Sequence, residues 1–224
     1  MTDTALLSPG LENDALETAR AMIGMPIRIE QWNYEASRDS IRYYAWGLGD
    51  DNPLYSDPEY AKKTRWGGII APTTFVQSCG FPRSRGLPGV HGLFSGVDFH
   101  CHVPIRLGTR IRAATALHEL KERHGKFAGR EYQQTYATRY CDEQGQVLTT
   151  LYSHTFRTER MHVEKGRKYA DIKPQSYTDE DFALIEAAYR QERVNRRGAR
   201  TLYYQDVNVN DAIGEIVKGP LTVT

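Results

Sequence analysis

Residues 43–75 read YYAWGLGDDNPLYSDPEYAKKTRWGGIIAPTTF. Ser37 or Asp39 predicts the cap of a helix through Ile41, Tyr44 and Ala45, ending at Gly47 and Gly49. The next residues, Gly49-Asp50-Asp51-Asn52-Pro53, form a tight turn, because Pro53 pushes Asn52 toward extended geometry. Such a loop can aim a carboxylate and an amide into a cleft, although most Asp-Asn-Pro turns only turn and cap. Asp57-Pro58 predicts a second helix, with Asp as its cap and Pro at its first position. Gly67-Gly68 breaks it, and the apolar run Ile69–Cys79 predicts a buried helix that Gly80 stops. The free N–H groups at the start of that helix, just after the glycine pair, suit a carbonyl oxygen or an oxyanion.

Further along, the pattern changes. Residues 96–103, 109–120, 130–141 and 147–157 alternate or are rich in Tyr and Thr, with turns between them such as Asp142-Glu143-Gln144-Gly145. They predict an antiparallel sheet. Residues 26–30 alternate too and predict one short strand. Helices first and strands later make an α+β architecture. Residues 161–175 are polar and predict a linker. A helix over 177–193 follows, with Thr178 and Asp181 as a capping box and Phe182, Ile185, Ala188 and Tyr189 on one face. Residues 202–209 read as extended. The domain division expected is therefore 1–160 and 161–224.

Composition narrows the function classes. A net charge of +1 across 224 residues gives no field for nucleic acid or a membrane surface. No apolar stretch is long enough to span a bilayer. The N-terminal stretch carries acids and no apolar run, unlike a signal peptide. Cys79, Cys101 and Cys141 are odd in number and widely spaced, which fits neither a zinc site nor a disulfide framework. A reducing, cytoplasmic setting is the expectation.

The string quoted above closely resembles the signature of the MaoC-like, (R)-specific enoyl-CoA hydratase family. Gly49, Asp50, Asn52, Pro53, Leu54, Asp57, Pro58, Tyr60 and Ala61 match it at fixed spacing, as do Gly68, Ile69, Ala71 and Pro72. The resemblance spans about residues 27–157 and is nearest to the N-terminal-half type, the fatty-acid-synthase-like dehydratases. It implies a hot-dog fold, a curved antiparallel sheet wrapped around a central helix. It implies reversible addition of water to a trans-2-enoyl thioester, with CoA preferred over acyl carrier protein as carrier and no metal or redox cofactor. It implies a dimer or larger complex with another hot-dog chain. Residues 203–224 resemble the segment that opens the second hot-dog half in two-half dehydratases.

In the resemblance, Asp50 takes the place of the catalytic acid, Asn52 lies in the same loop, and Gly68, Ile69, Ala71 and Pro72 line the thioester site. Tyr55 stands where the family has His. A phenol with an ordinary pKa of about 10 is no general base at neutral pH. Two readings follow: a degenerate half that works with a chain supplying the Asp/His pair, or altered chemistry using Asp50 with Tyr55 or with a His from elsewhere. A non-catalytic acyl-CoA-binding subunit and a hot-dog thioesterase are the rivals. Arg83 and Arg85, after the central helix, are expected to meet the phosphates of a CoA-like ligand. His100 and His102 share one strand face as a surface pair or, less favoured, as metal ligands. His154 is expected in packing or an interface, and His91 in a loop that could line a cleft. The basic run 193–200 lacks interleaved aromatics, so it reads as a solvated helix end.

Overall fold

A computed structural model of the chain describes residues 13–82, 87, 90–125, 129–158, 176–196, 198, 201–212 and 214–220. The chain divides into two compact units, residues 1–168 and 169–224. The boundary expected after residue 160 falls within residues 159–175, outside the described ones.

The first unit contains helices α1 (Asn13–Ala21), α2 (Arg38–Gly47) and α3 (Pro58–Lys62). Its strands are β1 (Pro26–Ile27), β2 (Ile29–Gln31), β3 (Gly80–Pro82), β4 (His91–Cys101), β5 (Arg112–Gly125), β6 (Gly129–Cys141) and β7 (Val147–Thr158). Five of them form one antiparallel sheet in the order β1-β5-β6-β7-β4, and β2 pairs with β3 separately. The single strand expected over 26–30 is thus two: Pro26 and Ile27 pair with β5, while Ile29, Glu30 and Gln31 turn to β3.

Helix α2 forms as its sequence dictates. Ser37 caps it by accepting from the Ser40 N–H at 3.2 Å, and Ile41 and Ala45 form its buried face. Strands β4 and β5 run further than their alternation suggests. Paired neighbours supply backbone partners to residues whose side chains carry no strand signal, including Gly92 and Gly96 of β4. His91, expected in a loop, opens β4 opposite Thr158. Register shifts at Phe94/Gly96, Leu117/Glu119 and Tyr140/Cys141 mark irregularities that bend the strands.

The central helix differs from the expectation. It does not begin after Gly68 and does not span Ile69–Cys79. Ile70 is instead bridged antiparallel to Arg106, with the Ala71 N–H donating to the Ile105 carbonyl at 2.8 Å and the Leu107 N–H to the Ile69 carbonyl at 3.1 Å. β-Branched Ile69 and Ile70 favour extension, and Pro72 denies Ala71 the helical region. The helix is a 3₁₀ segment, Phe75–Cys79. Phe75, Val76 and Cys79 are fully buried against Ile41, Ile111, Tyr140, Leu148 and Leu151. Each large apolar side chain so buried is worth about 1.5–3 kcal/mol. The Tyr140 hydroxyl, enclosed in this core, donates to the Gly80 carbonyl at 3.2 Å. A bent antiparallel sheet around a short buried helix is the hot-dog fold.

In the second unit, α4 (Asp179–Asn195) is capped as expected. Thr178 Oγ1 accepts from the Asp181 N–H, and the Asp181 carboxylate accepts from the Thr178 N–H at 2.8 Å. These bonds hold the Asp181 carboxyl below its usual range. Residues 202–209, expected as extended, contain a 3₁₀ turn at Tyr204–Asp206. Tyr189 donates to the Gly219 carbonyl at 3.0 Å, and Val217 N–H donates to Glu192 at 3.0 Å, so the tail folds back on α4.

Candidate active site

The Asp50 loop is built by local capping. At the end of α2 the Leu48 N–H reaches back to Tyr44, and Gly49 turns the chain with φ 64°. The Asp50 N–H then donates to the Ala45 carbonyl at 2.9 Å. Asp50 Oδ1 accepts from the Asn52 N–H at 3.0 Å, and Asn52 Oδ1 accepts from the Leu54 N–H at 3.0 Å. The 3₁₀ turn Pro53–Tyr55 follows, and Asp57 caps α3 through the N–H groups of Glu59 and Tyr60. Asn52 and Asp57 thus act as turn and cap residues. Asp50 spends one carboxylate oxygen on the turn.

Tyr55 is half-buried and packs against the core beside Leu54 and Tyr44. Burial, and then the nearby Asp50 carboxylate, raise its phenol above the usual 10.0. Both causes favour the protonated form. At neutral pH Tyr55 is a hydrogen-bond donor near Asp50 and not a base.

A groove of about 280 Å³ opens beside the start of the 3₁₀ helix. One wall is Trp66 with Ile70–Thr73, the other Cys101–Ile105, and Thr149 joins them. The Ile70–Arg106 bridge holds the two walls together. Ala71 and Pro72, expected at the thioester site, line this groove; Gly68 and Ile69 precede it on the same segment, and Asp50, Asn52 and Tyr55 are not in its lining. The Ala71 N–H is engaged by Ile105, so the donors that lead the helix are those of Thr73 and Thr74. The groove is mostly apolar, with polar atoms from Thr73, Cys101, His102 and Thr149.

One side chain ties the loop-bearing helix to the helix start. The Tyr44 hydroxyl donates to the Thr74 carbonyl at 2.7 Å and lies 3.0 Å from the Thr74 hydroxyl. Its ring meets Phe75 edge-on at 5.6 Å. Helix α2, which ends in the Asp50 loop, is thereby pinned to the residues that open the 3₁₀ helix.

The histidines separate. His100 stacks edge-on against Tyr152 at 5.2 Å, whereas His102, just past β4, lines the groove with Nε2 3.1 Å from Thr150 Oγ1. His154 bridges Asp98 at 2.9 Å and Thr135 at 3.0 Å. Among the described residues no group of three or more His, Cys, Asp or Glu is placed to hold a metal ion. Arg83, Arg85 and residues 197, 199 and 200 of the basic run lie outside the described residues. Sequence reasoning did not pick out Trp66, Thr73 or Thr149. Trp66 and Thr73 lie within residues 43–75 without matching the family pattern, and Thr149 lies far outside that stretch, since a groove wall is made of residues far apart in the chain.

Residues 21–151 match the family model described as "FAS1-like, dehydratase domain region". That is more than half of the chain, and the chain belongs to this family. Among curated relatives, a UPF0336 protein of Thermobifida fusca (strain YX) is 48% identical over 141 residues, covering 59% of this chain and 85% of that one. A UPF0336 protein of Streptomyces avermitilis is 32% identical over 100 residues, covering 41% of this chain and 67% of that one. Among solved structures, the ChsH1-ChsH2 complex from Mycobacterium tuberculosis includes a chain of the same fold, with a TM-score of 0.55 at 14% identity, covering 66% of this chain and 98% of that one. No described helix is long and apolar enough to cross a membrane.

Proposed function

We propose that this chain is the acyl-binding, imidazole-poor half of an enoyl-thioester hydratase (or 3-hydroxyacyl-thioester dehydratase), acting on a CoA thioester beside a second hot-dog chain. The observation that carries the reading is the half-buried Tyr55, whose phenol is held protonated by burial and by Asp50 where the family places a histidine. The acyl group lies in the groove of Trp66, Pro72, Val103 and Ile105, and the thioester carbonyl accepts from the N–H of Thr73, which lines the groove ahead of the 3₁₀ helix. Such a donor is typically worth about 3 kcal/mol to a developing enolate. In hydration, the partner's imidazole takes a proton from water, the water oxygen bonds to C3, and the C2=C3 pair moves toward the carbonyl. The imidazolium then returns that proton to C2, and the carbonyl re-forms. Strand β4 lies at the sheet edge with Leu93 and Phe94 exposed, which suits pairing with a second hot-dog sheet. The ChsH1-ChsH2 complex is by name an assembly of two components, which supports a hetero-oligomer as the reading for this chain. No metal or redox cofactor enters this chemistry.

A second reading rests on His102. It lines the groove in this chain, so it is placed to supply the imidazole that the Asp50 loop lacks. One assay separates the two. Crotonyl-CoA is given to the pure chain, then to the chain with a hot-dog partner carrying His where Tyr55 stands here. Enoyl absorbance lost only with the partner supports the first reading, and Asp50→Asn in this chain then leaves turnover within about threefold. Loss with the pure chain, abolished in His102→Gln, supports the second. Release of free thiol without hydration sinks both and points to a thioesterase.

A further inference from the structure

The charge of the chain is close to balanced, but its distribution is not. The stretches that contain the groove walls, residues 60–82 and 99–118, carry Lys62, Lys63, Arg65, Arg106, Arg110 and Arg112 and not one carboxylate. Lys62 is neutralised by Glu59 and Arg110 by Glu143. Among the described residues neither Arg65 nor Arg106 has such a partner. Both are exposed, and both are attached to the same rim residue of the groove. The Arg65 guanidinium stacks over the Trp66 ring at 4.3 Å, and Arg106 donates to the Trp66 carbonyl at 2.6 Å from the opposite wall. That contact uses one of the five N–H donors Arg106 has.

An apolar slot lined by an indole, with two guanidinium groups held against that same Trp66, fits a ligand that is apolar at one end and anionic at the other. We propose that Arg65 and Arg106 grip the phosphate of the carrier, a phosphopantetheine thioester, as it leaves the groove past Trp66. The proposal rests on the reading of the groove as the thioester site and adds which side chains read the carrier. Planar guanidinium groups suit this, since they meet phosphate through two N–H bonds at once. Stacking on Trp66 also orders Arg65 before the ligand arrives, which lowers the entropy lost on binding.

The test uses the full chain, with its hot-dog partner when one co-purifies. Dissociation constants are measured by calorimetry for crotonyl-CoA, crotonyl-4′-phosphopantetheine and crotonyl-pantetheine, which differ in phosphate content and share one acyl group. Arg65→Ala and Arg106→Ala should each weaken the phosphate-bearing ligands about tenfold, the scale of one charge-assisted bond. Neither should change binding of the phosphate-free ligand. Arg65→Lys should keep part of the affinity. Weakening of both phosphorylated ligands assigns the pantetheine phosphate, common to CoA and carrier protein. Weakening of the CoA ligand alone would place both guanidinium groups on the nucleotide end and overturn the assignment to the pantetheine phosphate. Equal weakening of all three, or of none, overturns it and leaves the thioester site standing. If the wild-type protein binds none of the three, the proposal and the functional reading fall together.

Discussion

Tyr55 and Asp50 belong to one loop. Burial, and then the Asp50 carboxylate, raise the phenol, so it is no general base for substrate near neutral pH. Replacing the phenol by imidazole changes the titration range to one centred near neutrality. Tyr55→His should therefore raise crotonyl-CoA hydration by the isolated chain at least about tenfold, a modest share of what general acid–base catalysis contributes. Unchanged turnover in a variant with the wild-type circular dichroism spectrum would mean that the loop cannot reach the acyl group. Asn52 shows the limit of reading residues one at a time. Its amide was a plausible ligand group in the sequence, but its oxygen is committed to the Leu54 N–H.

The central 3₁₀ helix is the element on which the site depends, and one glycine ends it. Gly80 has φ 124°, in the left-handed half of the map, and a Cβ there would run into the Glu30 carbonyl oxygen where β3 meets β2. Gly80→Ala should destabilise the protein by about 2–4 kcal/mol, combining backbone strain with a displaced strand pair. Urea unfolding measures this directly, and a midpoint equal to wild type would show that the strand pair yields freely. The same element explains why sequence misplaced the helix start. An apolar run of eleven residues fits a buried helix or a buried extended segment equally well. The pairing of Ile70 with Arg106 decides between them, and Arg106 lies 36 positions away in the chain.

At the scale of the whole molecule, the core holds groups that burial keeps protonated to higher pH than they would be in water. Burial pushes the Cys79 thiol from 9.0 up to about 11, and burial likewise raises the Tyr44, Tyr55 and Tyr140 phenols from 10.0. A raised folded-state pKa means that the folded chain keeps protons the unfolded chain releases. Its contribution is intact below about pH 9 and is lost as pH rises toward 11. The urea midpoint should fall between about pH 8 and pH 10.5, and less steeply in Cys79→Ala. A pH-independent midpoint would show that the thiol and phenols are not held in the core.

The amino-acid sequence determined the class of fold, the sheet-forming stretches and the position of the Asp50 loop. These depend on local spacing: caps at Ser37, Asp57 and Thr178, Pro after Asn52, and alternation along β6 and β7. Tertiary structure alone decided that the chain from Ile69 to Ala71 is extended, that Thr73 and Thr74 lead the helix, and that His102 and not His100 lines the groove. It also decided that Arg65 and Arg106 meet at Trp66. Each of these is a contact between segments remote in the chain, and the energy that selects it comes from the partner segment, which no local window contains.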